Sequence, residues 1–223
     1  IIWPVWATHF ACFISLREGM EGSPGLAKQL GLLLMGLDHY VKIVAVLPAE
    51  VDVSDMGEAL GAVASRCDFG DGAGVEVLSD VFCQWLDPSS PQAGISSKMI
   101  LDATGPRRGT EPAGLDAERG SQVAWKIMEI SFPCGGSRDL SAIRVPPGVK
   151  DLEDLLHVDA LRRCRLIVCV DDDVDIGDPR QVVWAMATRY QPSEGSIIEG
   201  GRMVVDARMG EGWTARRATI PTL

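Results

Sequence analysis

Apolar runs and polar turns alternate along this chain in the manner typical of layered α/β proteins. Leu166 to Val170 is a continuous, largely β-branched apolar run, which predicts a strand buried on both faces, and it ends abruptly at the aspartates 171–173. Asp178 then precedes Pro179 as a helix N-cap, and apolar residues recur at helical spacing through Arg189. This stretch is therefore predicted to form a strand, an acidic turn and an amphipathic helix.

An upstream stretch repeats this unit. Residues 42–66 align without a gap on residues 165–189, and the identical pairs are Val51 with Val174, Asp52 with Asp175, Asp55 with Asp178, Ala62 with Ala185, Ala64 with Ala187 and Arg66 with Arg189. The similarity extends outward, where Trp3-Pro4 corresponds to Phe132-Pro133 and residues 98–103 correspond to residues 202–207. Two buried strand and helix units can resemble each other by composition alone, but ordered matches in three places favour an internal duplication. The downstream copy is shorter between the helix and the last strand.

The remaining pattern predicts the other elements and the fold class. Strands are predicted at 10–16, 42–47, 75–78, 97–103, 140–145, 196–199 and 202–207, and helices at 26–37, 55–66, 149–161 and 178–189. Glycine, proline and charged residues at 104–120 are typical of a linker. We therefore expect an α/β fold, a layered parallel or mixed sheet with flanking helices, in two related lobes, 1–118 with the linker and a shortened 119–223.

Composition limits the classes of function. The net charge is −10 with no basic stripe, which argues against nucleic acid and anionic lipid surfaces because both require clustered lysine and arginine. No apolar run approaches the roughly 20 residues that a membrane span needs. We expect a small molecule or another protein as the partner. Because the chain starts with Ile1-Ile2-Trp3, without a methionine or a signal sequence, we also expect a fragment or an incomplete gene product.

The six cysteines are predicted to be structural. They are Cys12, Cys67, Cys83, Cys134, Cys164 and Cys169. They show no CxxC spacing and several lie in apolar runs, which is typical of small hydrophobic residues in a reducing, cytoplasmic environment.

The acidic turn has a functional and a structural interpretation. Asp171, Asp172 and Asp173 follow a parallel strand, where α/β sheets bind ligands, and carboxylate oxygens bind hard cations. Neighbouring side chains on a turn rarely converge on one ion, and the first copy has Leu47 to Glu50 there. These aspartates are therefore weak metal candidates, and a solvated, helix-capping loop is the favoured interpretation.

Other polar groups favour structural roles. His9, His39 and His157 lie far apart without metal-ligand spacing. Residues 69–74 are glycine-rich but lack the lysine and the following helix of a phosphate loop, so a hairpin turn is predicted. Ser89 and Ser90 have no neighbouring histidine, which gives little support to a nucleophilic serine.

Three segments together resemble a known family. They are Ile130-Ser131-Phe132-Pro133-Cys134-Gly135, the acidic segment 171–189, and Leu86-Asp87-Pro88-Ser89-Ser90 followed by Ser97-Lys98-Met99 and Leu101-Asp102-Ala103-Thr104. Their order and spacing resemble the C-terminal domain of the UbiD-type decarboxylases, in two partial copies. Such enzymes use prenylated flavin mononucleotide and a divalent metal to remove or add carboxylate on aromatic or α,β-unsaturated acids. The resemblance implies a carboxy-lyase context.

The resemblance also implies what this chain lacks. In the family, the catalytic residues and the metal ligands beside the flavin phosphate belong to an upstream domain that has no counterpart here, so no catalytic residue is assigned. A basic residue late in the family's crossover helix is also not clearly kept, since the equivalent positions are Met35-Gly36 and Val158-Asp159, although Arg162 and Arg163 lie close by. The chain resembles a non-catalytic half that would form a homo- or hetero-oligomer with a flavin-binding half.

The resemblance places the substrate pocket beside the irregular segment that precedes the Ser97-Lys98-Met99 strand. The resulting substrate-pocket candidates are Phe82, Trp85 and Leu86, although a core or interface role for Trp85 is equally expected. Trp125 and Trp184 are assigned to core packing rather than to an interface.

Two functions of different classes remain open. The first is a fragment or subunit of a prenylated-flavin carboxy-lyase, supported by the family-like motifs. The second is a non-catalytic binding or assembly module built on a duplicated α/β scaffold, supported by the divergence of the two copies at the acidic turn and at the pocket segment.

Overall fold

The computed structural model describes residues 9–70, 74–83, 87–90, 92, 94–109, 116–146 and 148–209. The strands are β1 (Ala11–Ser15), β2 (Ile43–Leu47), β3 (Val75–Phe82), β4 (Ile95–Asp102), β5 (Glu129–Ser131), β6 (Leu140–Arg144), β7 (Leu166–Val170), β8 (Ser196–Glu199) and β9 (Arg202–Asp206). The helices are α1 (Leu26–Leu37), α2 (Met56–Arg66), α3 (Ala117–Ala124), α4 (Pro179–Arg189) and α5 (Pro192–Gly195), with 3₁₀ helices at Leu152–His157 and Asp159–Leu161.

The strands form two mixed sheets that share one arrangement. The first has the order β1-β2-β4-β3 and the second β5-β6-β7-β9-β8. In each sheet the three central pairings of the repeat are parallel, parallel and antiparallel, ending in β3 or β8. The register also repeats, since Ile43 lies opposite Met99 in the first sheet and Leu166 lies opposite Met203 in the second. The internal repeat predicted from the sequence is thus present in strand order and in register.

The helix that follows each central strand begins at the aspartate that the sequence indicated. Asp55 accepts hydrogen bonds from the N–H groups of Gly57 and Glu58, and Asp178 accepts one from that of Arg180. These bonds satisfy N–H groups that the first turn of a helix leaves without partners. Both helices are 11 residues long, as the ungapped repeat requires.

The two helices lie between the sheets in one continuous core. The inner faces of both sheets pack against α2 and α4, with members such as Phe13, Leu101, Val168 and Val205 in the same apolar cluster. Helix α1 covers the outer face of the first sheet, and the 3₁₀ helices cover that of the second. The α/β class and its layered arrangement are confirmed. The lobe boundary after residue 118 remains a proposal, and α3 crosses that position.

The predicted helix at 149–161 is wrong in type, because the structure has two short 3₁₀ helices there. Val158 is extended between them, with φ −73° and ψ 124°. The buried Arg202 donates to the main-chain oxygens of Leu156, Leu161 and Cys164. Since a side chain takes these acceptors, an uninterrupted helical ladder is not required to satisfy them.

The two tryptophan assignments have opposite outcomes. Trp184 is 4% exposed and packs in the central core, as predicted. Trp125 is 77% exposed, so its assignment to the core is wrong. It is the C-cap residue of α3, a helix that buries only Gly120 and Val123, and therefore lies beyond the buried face.

The six cysteines are all buried and free, in agreement with their predicted structural role. Within the described ranges, no helix is long and apolar enough to cross a membrane.

Candidate functional site

The clearest difference between the two repeats lies in the connection between their last two strands. In the first sheet Val75 pairs with Leu101 and Leu78 pairs with Lys98, and in the second Ser196 pairs with Val205 and Glu199 with Arg202. These ladders are equivalent, so the chain between them consists of residues 79–97 in the first copy and of Gly200 and Gly201 alone in the second. We call residues 79–97 the pocket segment, because they contain the predicted substrate-pocket candidates.

The described start of the pocket segment presents an aromatic side chain to solvent. Phe82 is 53% exposed, and its ring meets that of His39 edge-on, with centroids 4.9 Å apart and an interplanar angle of 84°. The β3–β4 register shifts between Leu78 and Val81, and Asp80 between them has a φ of 56°. An exposed aromatic ring on an irregular strand end can pack against a planar ligand. Trp85 and Leu86 lie outside the described residues.

A buried polar cluster holds the end of the pocket segment. We call it the seam cluster, and its members are Lys42, Asp87, Ser89, Ser96, Ser97 and Gln191. Asp87 is its anion and is 6% exposed. Its Oδ1 lies 3.3 Å from Nζ of Lys42 and 2.7 Å from Oγ of Ser89, and its Oδ2 accepts from Ser96 at 2.8 Å. Charge and hydrogen bonds together compensate the burial of this carboxylate.

Burial changes the pKa of both charged members of the seam cluster. Lys42 is 1% exposed, and this burial lowers its pKa to about 8, against the opposing effect of the Asp87 carboxylate. Burial alone would raise the pKa of Asp87, but the charge of Lys42 and the bonds from Ser89 and Ser96 outweigh it, so the pKa lies below its usual range. The ion pair is therefore formed at neutral pH.

Gln191 joins the seam cluster from the other repeat unit. Its Oε1 accepts from the main-chain N–H and the hydroxyl of Ser97, at 3.0 and 2.9 Å. Its Nε2 lies 2.8 Å from Oγ of Ser89 and 3.0 Å from Oγ of Ser96. Because one amide bonds both ends of the Asp87–Ser97 stretch, this C-terminal part of the pocket segment is attached to the second unit.

The chemistry of the seam cluster is that of a fixed support. The Ser89 hydroxyl contacts Lys42 at 2.8 Å, which places an amine beside a serine, although no histidine lies nearby in the sequence. That hydroxyl is also hydrogen-bonded to Asp87 and Gln191. The sequence indicated none of these contacts, because Lys42 and Gln191 are distant in the chain. The one available signal was the position after the repeated helix, which is Asp68 in the first copy and Gln191 in the second.

The acidic turn forms ion pairs within its own unit. Oδ2 of Asp171 lies 3.0 Å from Nη1 of Arg189, and Oδ2 of Asp173 lies 2.7 Å from Nη2 of the same arginine. Asp172 is exposed. The first unit repeats this contact between Glu50 and Arg66, at 2.7 Å. In the described part of the chain, no group of three or more His, Cys, Asp and Glu residues could hold a metal ion.

The donor set does not match a flavin nucleotide and its metal. Among the described residues, no acidic or histidine cluster could hold the ion. Gly74 is followed directly by strand β3 rather than by a helix N-terminus, which is the usual place for a phosphate, and residues 71–73 of the predicted hairpin turn lie outside the described residues. Of the two arginines near the expected basic position, Arg162 is paired with Asp159 on the surface. The described residues therefore do not fit the cofactor by themselves.

Comparison with known proteins assigns the family. The model of the 3-octaprenyl-4-hydroxybenzoate carboxy-lyase C-terminal domain matches residues 2–103 and 150–212, which is well over half of the chain. The chain therefore belongs to the UbiD family, through its C-terminal domain. The two matched ranges fall one in each repeat unit.

Individual relatives cover much less of this chain. A phenolic acid decarboxylase of Escherichia coli O157:H7 is 35% identical over 86 residues, covering 37% of this chain and 18% of the relative. A gallate decarboxylase of Lactiplantibacillus plantarum is 28% identical over 75 residues, covering 31% and 15%. The UbiD-class enzyme HmfF from Pelotomaculum thermopropionicum, solved with FMN, is 33% identical, with coverage of 44% and 21% and a TM-score of 0.38. The chain thus spans less than a fifth of the length of these two curated relatives.

Proposed function

We propose that this chain acts as the C-terminal half of a carboxy-lyase that removes or adds carboxylate on an aromatic or α,β-unsaturated acid, in the cytoplasm. A flavin-binding half, on another polypeptide or on further sequence of the same one, would bind the prenylated FMN and its metal. The observation that carries the proposal is the family match over most of the chain, joined with a pocket segment that one repeat keeps and the other replaces by Gly200-Gly201.

The substrate class is supported by the relatives and by the exposed ring of Phe82. Two relatives are named for acids with an aromatic ring, phenolic and gallic acid. Phe82 offers an exposed apolar face within the pocket segment, which also contains Trp85 and Leu86 in its sequence. We propose that these three side chains form one wall of the pocket and exclude water from it, while the reacting groups belong to the flavin-binding half.

A co-purification experiment tests this function. The tagged chain is recovered from its native lysate, co-purifying proteins are identified by mass spectrometry, and the absorbance spectrum is measured for bound flavin. We expect bound flavin, carried by a stoichiometric partner or by further sequence of the same polypeptide, and a preparation that releases CO₂ from an aromatic acid.

Two substitutions sharpen the assay. Phe82→Ala should lower turnover by about tenfold or more without loss of the partner, as expected for a lost apolar contact to a ring. Met128→Ala is the matched control, because Met128 is a 63% exposed apolar residue of the second unit. A colourless chain without a partner and without turnover would contradict the carboxy-lyase assignment and would favour the non-catalytic module.

A further inference from the structure

We propose that the second repeat unit has a specific task, which is to position the pocket segment of the first unit, and that Gln191 is the positioning residue. The task of the segment rests on the proposed function, whereas its attachment to Gln191 is a property of this chain alone. The two repeat units meet along a seam at two equivalent places, which we call corners and which differ in how the units contact each other.

At the first corner the contact between the units is direct. Arg165, at the start of the second unit's central strand, donates to the main-chain oxygens of Ala64 and Cys67, both at 2.9 Å. These oxygens lie at the C-terminal end of α2, where a helix leaves carbonyl groups without partners. Arg165 therefore caps the C-terminal end of α2 in the opposite unit.

At the second corner the pocket segment lies between the units. The repeat equates Arg165 with Lys42 and Cys67 with Tyr190. Nζ of Lys42 contacts Oγ of Ser89 at 2.8 Å, and that Oγ lies 3.3 Å from the main-chain oxygen of Tyr190. A serine of the pocket segment thus occupies the position that a direct contact has at the first corner.

Gln191 makes different contacts from the residue at the equivalent position of the first unit. The counterpart is Asp68, whose carboxylate bonds locally to the N–H of Gly70 at 2.9 Å and to Arg108 at 3.0 Å. Gln191 instead bonds across the seam, as an acceptor from Ser97 and as a donor toward Ser89. The Ser89 hydroxyl donates its own proton to Asp87 at 2.7 Å, so a side chain that bonds to both Ser89 and the N–H of Ser97 needs a donor and an acceptor.

The side chain at position 191 is also neutral, which suits its place beside the Asp87 carboxylate. Nε2 of Gln191 lies 3.4 Å from Oδ2 of Asp87. A carboxylate here, as at Asp68, would face the buried Asp87 carboxylate, and two like charges at such a distance disfavour each other. The neutral amide avoids this repulsion, so the residue type matches its position beside Asp87.

Fixing both ends of the Asp87–Ser97 stretch would affect the pocket wall proposed above. A connection of this length would otherwise lose conformational freedom when it met a substrate or a partner, and this cost weakens binding. Hydrogen bonds from the buried Gln191 of the neighbouring unit remove part of this cost in advance.

Hydrogen exchange on the full chain tests the attachment. Gln191→Leu keeps the approximate volume and removes every side-chain hydrogen bond of this residue, and we expect exchange in peptides covering 87–97 to accelerate by about tenfold or more, while β2 and β7 stay protected. Arg165→Met breaks the other corner and is the matched control, with no selective effect on 87–97. Unchanged exchange in Gln191→Leu, or equal acceleration throughout the chain, would overturn the proposal.

A second variant distinguishes positioning from a general loss of packing. In Gln191→Glu the protonated carboxyl can still donate and accept, but the ionised form faces Asp87. We expect near-native protection of 87–97 at about pH 4 and its loss at pH 7, after correction for intrinsic exchange, with Gln191→Leu independent of pH. Equal protection at both pH values would contradict the assigned contacts.

Turnover separates this inference from the proposed function. In the complex with the flavin-binding half, Gln191→Leu should raise KM and lower kcat/KM while the partner remains bound. A pocket segment that loosens in the exchange experiment without any turnover by the native complex would retain the attachment and refute the carboxy-lyase role. A native complex that turns over the substrate, together with exchange in 87–97 that does not respond to Gln191→Leu, would support the carboxy-lyase role and refute the attachment.

Discussion

Arg165 donates a hydrogen bond of 2.9 Å from Nη2 to the main-chain oxygen of Cys67. This bond joins the residue immediately before β7 to the C-terminal end of α2 in the other unit. Its guanidinium also lies 5.4 Å from the ring centroid of Phe69. Arg165 is 4% exposed. A cation at the C-terminal end of a helix is favourable, because the helix dipole is negative there.

Arg165→Met should therefore destabilise the chain strongly. The substitution keeps apolar volume but removes two charge-assisted hydrogen bonds and leaves two buried carbonyl groups without a donor, so we expect a loss of about 2 to 5 kcal/mol in the free energy of unfolding. Urea denaturation measures it. Lys28→Met, which breaks the exposed ion pair with Glu76, is the control and should cost less than about 1 kcal/mol. Equal losses in the two variants would show that the corner contact contributes nothing special.

The pair Lys42 and Asp87 should behave as one energetic unit. Either Lys42→Met or Asp87→Asn leaves the other charge buried, and each is expected to cost about 3 to 5 kcal/mol. The double variant should cost clearly less than the sum, since it removes both charges. A double-mutant cycle by urea denaturation measures the coupling, and simple additivity would contradict a direct interaction.

The stability contributed by Lys42 should increase with pH above neutrality. Its pKa is about 8 in the folded chain, lowered by burial from an ordinary value of 10.5. Between these values the unfolded chain holds a proton that the folded chain has released, so stability rises with pH by up to about 3 kcal/mol.

The matched comparison for this pH effect is Lys42→Met. The free energy of unfolding of the unsubstituted chain minus that of the variant should grow from pH 8 to pH 10. Taking the difference cancels the contributions of the thiols and of Tyr190 to the pH dependence, since these groups also titrate in alkaline solution. A difference that stays constant over this range would mean that the pKa of Lys42 is not lowered.

The two N-caps provide a comparison within the repeat. Asp55→Ala removes two hydrogen bonds to main-chain N–H groups and Asp178→Ala removes one. We expect losses of about 1 to 2 kcal/mol for the first and about 1 kcal/mol for the second, where Pro179 already favours the helical start. Thermal denaturation of both variants measures the two losses in the free energy of unfolding. A greater loss for Asp178→Ala than for Asp55→Ala would contradict the prediction.

The buried thiols should be inert in the folded chain. Burial raises the pKa of Cys12 and of Cys134 to about 12, and the thiolate is the reactive form. A disulfide reagent at pH 8 should label neither residue in the native chain, and should label all six cysteines in urea. Rapid native labelling at Cys12 or Cys134 by mass spectrometry would contradict their burial.

The sequence predicted much of the fold because its strongest signals are local. The run at Leu166–Val170, the caps at Asp55 and Asp178, and the repeat between them each specify a strand or a helix over a few residues. The ungapped repeat also predicted that the second copy would reproduce the first. The 3₁₀ helices were missed because Arg202, far along the chain, takes the carbonyl groups of that stretch.

The seam cluster could not be predicted, for the same physical reason. Lys42 and Asp87 look like surface residues in a sequence, since charged side chains are seldom buried. Their burial becomes favourable only when Gln191 and the serines of the pocket segment approach from distant parts of the chain. Phe82 was predicted at the site and is exposed there, while its role in a pocket stays a prediction.

The Gly200-Gly201 turn has a consequence for how many molecules can assemble. Two equal repeats would display two equivalent faces, and a partner with two binding surfaces could then link chains into an open-ended ladder. Because the turn gives the second unit no counterpart of residues 79–97, a partner that recognises this segment would find no equivalent place between the last two strands of the second unit. Under the proposed function, growth through that contact would end after one pairing, with one partner for each chain.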